Sequence, residues 1–245
     1  MGAGTLTDPA RLVAAWEVAA AVPGIARAAV LLHAAGVVDA LDEALDLQVG
    51  DAAAHSAELY ATAFGEVLDG LIGCDGCGEL LEVQVPLAAL RAPVGGRTTR
   101  VEHAGVVLQV RAPTIRDLLA AAGEPDPATV LLARCVNDPA GGAIDPAGMA
   151  PAVRERVDAA AEELAGAAAV TVQAACPACG AGVRAAADVG DLLWERVRVA
   201  APAVLAEVAE LAAAFGWSEA DVLALSPARR RAYLDLARGG TGGPP

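Results

Sequence analysis

Four of the five cysteines in the chain stand in two copies of one short pattern. "CDGCG" begins at Cys74 and "CPACG" at Cys176, each reading Cys-x-x-Cys-Gly. Two intervening residues let a tight turn aim both sulfurs at one point, about 2.3 Å from a zinc ion. The glycine that follows, Gly78 or Gly180, permits the positive φ that brings backbone N–H groups toward the sulfurs. Each pair makes half of a tetrahedral site. Cys74, Cys77, Cys176 and Cys179 are therefore predicted to share one structural Zn2+ per chain. A catalytic zinc keeps an open position, and four cysteines leave none.

The halves lie about a hundred residues apart, against roughly 15–20 in a compact zinc ribbon. Loop-closure entropy grows only logarithmically, so the wide gap adds little cost. A redox reading needs one reactive pair at a helix start, whereas strand-like sequence flanks both pairs here. Cys135 falls in an apolar helical stretch and reads as a small buried hydrophobe.

Little else in the chain has the makings of chemistry. His33 lies in an apolar helix, His55 in the first turn of a helix and His103 beside a hairpin turn. No spacing links them to one another or to a nucleophile. There is no GxSxG, P-loop or GxGxxG, and "GGAIDPAGM" follows no strand. Asp39, Asp42, Glu43 and Asp46 read as a solvated face. No active site is expected. Arg229, Arg230 and Arg231 form a basic run at the start of the last helix, where their charge opposes the helix dipole unless an acidic group meets it. They are candidate contacts to an acidic partner, or to Glu219, Asp221 or Asp235. As a recognition helix they would make the chain a zinc-ribbon regulator that binds nucleic acid. The formal charge of −14, from 31 acidic and 17 basic residues, disfavours that alternative, because it repels phosphate.

The elements that must position the cysteines are legible from periodicity and punctuation. Asp8-Pro9 caps a helix with Leu12 and Trp16 on one face. A second runs from Ile25 to Ala35, a short one sits in the acidic stretch that follows, and Asp51 caps a fourth to about Leu68. "LLEVQVPL" alternates as a strand, and "RTTRVEHAGVVLQVRAP" reads as a hairpin turning near Ala104-Gly105. Thr114 with Asp117 makes a capping box. Asp126-Pro127 opens a helix to about Cys135, a Gly/Pro-rich loop follows, and Pro151 starts a helix to about Leu164. The second cysteine pair lies in a strand-turn-strand. From Asp191 a long helix runs to Phe215 with Pro202 as a predicted kink, then Ser218 and Ser226-Pro227 cap two short ones.

The predicted fold is mainly α with a small β insertion. Residues 1–70 form an N-terminal helical region and 71–190 a split zinc-ribbon-like β module with inserted helices at about 114–165. Residues 191–238 form a C-terminal helical region and 239–245 a flexible tail. The N-terminus has no basic segment followed by an apolar run. The longest uncharged stretch, Leu164 to Val183, is broken by Thr171, Gln173 and Pro177, so no membrane span is expected. A soluble cytoplasmic protein is the expectation, and five cysteines without a signal peptide argue against a secreted disulfide framework.

Four of the seven aromatic residues, Trp194, Phe215, Trp217 and Tyr233, fall near the C-terminus. That concentrates packing or binding energy there, with Trp217 and Tyr233 as candidate partner contacts. The segment "FGWSEADVLALSPARRRAYLDL", Phe215 to Leu236, follows a long helix, with "CPACG" before it and "CDGCGELLEV" after a helical N-terminus containing "LVAAWE". In these features the chain resembles the baseplate hub assembly chaperones of T-even type, encoded with contractile phage tails and contractile injection systems. The resemblance implies a non-enzymatic factor that assembles the baseplate hub or forms a minor part of it, with tail or baseplate proteins as partners.

Overall fold

The computed structural model describes residues 6–90, 98–103, 105–165, 168 and 170–239. It is mainly helical with three small antiparallel sheets. The N-terminal body holds α1 (Pro9–Ala20), α2 (Gly24–Ala34), α3 (Leu41–Leu45) and α4 (Val49–Phe64). Asp8 caps α1 by accepting from the Ala10 N–H, with Pro9 in the first turn. Helix α4 starts after Gln48, which places Asp51 inside its first turn instead of at the cap.

The expected continuation of α4 to Leu68 does not form. Gly65 adopts φ 109, which other residues rarely reach, and Val67–Gly73 becomes strand β1. It pairs along its whole length with β2 (Leu80–Pro86). Val67, which falls inside the expected helix, is a 40% exposed strand residue. A short apolar run suits either period, and here the long-range ladder to β2 decides.

The middle of the chain builds its own core. Strands β3 (Thr98–His103) and β4 (Val106–Arg111) form the predicted hairpin; Ala104, in its turn, lies outside the described residues. Helices α5 (Ile115–Ala121) and α6 (Pro127–Cys135) follow, then β5 (Val136–Asn137), which adds to β4 where only a loop was expected. Val110 and Val136 pack there against Val153 and Val157 of α7 (Pro151–Ala165).

Backbone bonds join this module to the N-terminal body. The Val49 N–H donates to Pro113 O at 2.9 Å and the Ile115 N–H to Leu47 O at 3.2 Å. Arg116 pairs with Asp42 and Asp46, so two of the acids expected to be merely solvated hold the α3–α5 junction. The capping box of α5 is present, and its Asp117 does more than cap. Its side chain, 2% exposed, also receives Arg111 and Arg134.

After β6 (Val170–Ala175) and β7 (Gly182–Ala187) comes α8 (Val189–Phe215). Its 27 residues span roughly 40 Å at 1.5 Å per residue. The first half puts Leu193, Trp194, Val197 and Ala201 into the core shared with α1, α2 and α4. The helix is continuous through Pro202. Its far end carries a separate small core, where Val208 and Leu211 meet Val222 of α9 (Glu219–Leu223) and Leu234 of α10 (Pro227–Ala237). The predicted tail beyond Gly239 lies outside the described residues. No described helix is long and apolar enough to cross a membrane.

Candidate metal centre

Two hairpins carry the cysteines, and they are near copies of each other. The β1–β2 ladder ends at Gly73 opposite Leu80, and the β6–β7 ladder at Ala175 opposite Gly182. Each therefore closes on a loop of the same length, Cys74 to Glu79 or Cys176 to Ala181. The N–H of Cys74 donates to Glu79 O and that of Cys176 to Ala181 O, both at 2.8 Å. Gly78 and Gly180 donate back to the carbonyls of Cys74 and Cys176, again at 2.8 Å. Those turns require φ 77 and 74, which explains the glycine after each pair.

The loops face one another with first cysteine against second. Cys74 Sγ lies 3.7 Å from Cys179 Sγ, and Cys77 Sγ lies 3.6 Å from Cys176 Sγ. All four sulfurs fall within 4.8 Å of one another. A tetrahedron with metal–sulfur bonds of about 2.3 Å has sulfur–sulfur edges of about 3.8 Å. Two edges already match that length and no pair of sulfurs lies beyond 4.8 Å, so the four side chains can converge on a cation at their centre. Cys74 and Cys176 are buried while Cys77 and Cys179 are exposed. Leu81 and Val183, at matching positions in the two hairpins, close the inner side.

Electrostatics favour a cation there. Backbone N–H groups of Cys179 and then Ala178 draw the Cys176 thiol down to about 7, against the opposing effect of burial. At Cys77 the Glu79 N–H also lowers the value. The Cys179 and Cys176 sulfurs outweigh it and push the thiol up to about 12. One thiol ionises readily and its neighbour resists, as expected when thiolates crowd together without a counter-charge. The donor set suits a soft or borderline metal, and four sulfurs complete a tetrahedral shell. Among the described residues this is the one cluster of His, Cys, Asp or Glu close enough to hold an ion. His33, His55 and His103 lie outside it.

Cys135 is elsewhere, buried as expected, but not in purely apolar surroundings. Its Sγ lies 3.8 Å from Asp117 Oδ2, and burial pushes its thiol up to about 11.

The aromatic candidates come together at the end of α8. Trp217 and Tyr233 meet edge to face, with ring centroids 4.7 Å apart. Phe215, which its place at the end of a long helix does not mark as a contact, completes a triangle at 4.9 Å and 5.9 Å from them. It is 40% exposed. The left-handed turn at Gly216 folds the chain back and creates the triangle; the Phe-Gly-Trp sequence was its available signal.

The arginine run divides. Arg229 and Arg231 are exposed. Arg230 faces inward, 6% exposed, donating to Glu207 Oε2 at 2.8 Å and to the Leu225 carbonyl. It is withdrawn from any partner surface, because α10 packs that side against α8. Its acidic mate is Glu207, not Glu219, Asp221 or Asp235. No local spacing could have shown this, since the pair meets only when the helices fold back. No protein-family model, curated protein or solved structure matches the chain.

Proposed function

We propose that the chain is a non-enzymatic, cytoplasmic assembly factor, or a minor structural component, for the baseplate hub of a contractile phage tail or contractile injection system. In this reading the four cysteines hold one zinc ion in a split zinc ribbon. The metal staples the hairpins together, and the C-terminal helices meet the partner. The observation that carries the reading is the aromatic triangle of Phe215, Trp217 and Tyr233. Large rings left partly open beside the exposed Arg229 and Arg231 are the kind of surface that anchors protein interfaces. The segment holding them is also the one that carries the resemblance to baseplate hub chaperones. Zinc is favoured over other ions by four thiolates in a tetrahedral array. Its part would be to fix the two hairpins; no reaction is assigned to it. The inward Arg230 weakens the nucleic-acid alternative, since it removes the central arginine from a would-be recognition helix.

The test is binding of the purified chain to the baseplate hub proteins of a contractile tail, measured beside Trp217→Ala. Tight binding that falls about tenfold or more on loss of this anchor supports the reading. Absence of binding to hub proteins removes it. Salt-dependent binding to duplex DNA would install the alternative instead.

A further inference from the structure

A cleft of about 300 Å³ opens between the hairpins, toward the strand ends remote from the cysteines. Near the metal centre Leu81 and Val183 fill the space between the two inner faces. Farther along, the inner positions are Gly70 and Val83 on one hairpin and Val172 and Ala185 on the other. Small side chains leave a hollow where larger ones would have sealed it. The strands β1 and β7 bound the cleft, and each belongs to a two-stranded sheet. Each therefore has one backbone edge without a ladder partner among the described residues. Such edges accept extended chains. Leu71, on β1 at the lip, is 66% exposed.

The rim carries one sign of charge. Asp69, Asp188 and Asp191 all border the cleft. Asp69 receives the Gln84 amide at 3.0 Å and lies 3.9 Å from Arg196. Asp188 is used to cap α8, accepting from the Asp191 N–H. Among the described residues no arginine forms an ion pair with Asp188 or Asp191. Partial burial and the neighbouring Asp188 carboxylate raise Asp191 above its ordinary value, although the Arg27 guanidinium nearby opposes them, so the acids on this rim outweigh the cation beside them.

From the hollow, the open edges and the acidic rim, we infer that the cleft docks an extended segment of a partner protein. The segment inserts a bulky apolar side chain between the hairpins and sets an arginine or lysine against Asp188 and Asp191. Charge complementarity selects the occupant, because an acidic segment would bring like charge against the three aspartates that border the cleft. The inference is separate from the baseplate reading and uses none of the C-terminal surface.

The experiment is selection of a displayed library of random dodecapeptides on the zinc-loaded full-length chain. Enriched peptides are then synthesised and titrated by fluorescence anisotropy. The expected peptides place an aromatic or long aliphatic residue beside a basic one. Filling the hollow with Ala185→Phe is expected to weaken them about tenfold, and Asp191→Asn about threefold. N-methylation of alternate backbone amides in the peptide is expected to abolish binding to the unmodified protein, which keeps the test decisive if Ala185→Phe fails to fold. Trp217→Ala should leave these affinities unchanged, whatever it does to hub-protein binding. No enrichment, enrichment of acidic or wholly polar peptides, or binding indifferent to both Asp191→Asn and N-methylation would overturn the inference.

Discussion

Asp117 is the residue on which the middle of the chain turns. It caps α5 and receives two arginines that arrive from β4 and α6. Burial alone would raise its pKa, but Arg111, the Thr114 N–H and Arg134 outweigh that and hold the carboxyl well below the usual range. Its stabilisation is therefore complete above the unfolded value of about 3.9 and fades as pH falls below it. Asp117→Asn keeps the shape but strands two cations. It is expected to cost about 3 kcal/mol, read as a lower urea midpoint at pH 7. The difference from wild type should shrink as both are titrated toward pH 3. Arg230 is the equivalent residue at the other end of the molecule. Removing it leaves Glu207 unpaired, and Arg230→Ala is expected to cost roughly 2 kcal/mol. Glu207→Ala should add much less when combined with it, a coupling that a double-mutant cycle measures.

At the scale of elements, the hairpins and the C-terminal helices are the two units with least core of their own. A two-stranded hairpin is marginal in water, and the small cluster behind the sulfurs adds little. Metal uptake must deprotonate thiols that resist ionisation, so the affinity should fall as pH falls. Calorimetric titration of apo-protein with zinc in buffers of different ionisation enthalpy is expected to show more than one proton released per ion. Chelation, or Cys176→Ser, should melt the hairpins while leaving the helical signal of the N-terminal body largely intact. A full collapse of helicity would contradict that division. Helices α9 and α10 rest on their own four-residue core at the end of α8. Their amides are expected to exchange with solvent well before those of α1 and α2.

Those two units also show what the sequence could disclose. The knuckles were legible because chemistry repeats itself locally. Two cysteines at fixed spacing and one glycine at the required φ identify the loop, and two loops of the same pattern point to each other as partners. The caps at Asp8, Thr114, Asp126, Ser218 and Ser226 were legible for the same reason. What stayed hidden was non-local. The strand nature of Val67–Gly73 depends on β2, and the pairing of β5 depends on β4. The inward turn of Arg230 depends on a glutamate one helix away. The abundance of alanine blurred the periodicities that would have separated these cases.

On the whole-molecule scale, the long helix α8 joins everything. One half is buried in the N-terminal core and the other carries the aromatic end, while its first turn borders both hairpins. In the proposed reading, a partner gripping the triangle would be held by a rod rooted in the main core, and binding there would need no rearrangement of the body. Hub-protein binding is accordingly expected to survive chelation with less than about a threefold change in affinity, measured by surface plasmon resonance. Loss of binding on chelation would place the contact on the hairpins instead. The wide separation of the two knuckles has one more result, which concerns time. A ribosome adding about 5–20 residues per second leaves the first cysteine pair alone for many seconds before Cys176 and Cys179 are made. During that interval the nascent chain exposes a two-thiol half-site, open to oxidation or to capture by a chaperone. The centre can close only after Cys179 is made, about a hundred residues beyond Cys77, so metal uptake by the complete site would lag well behind synthesis of the first pair.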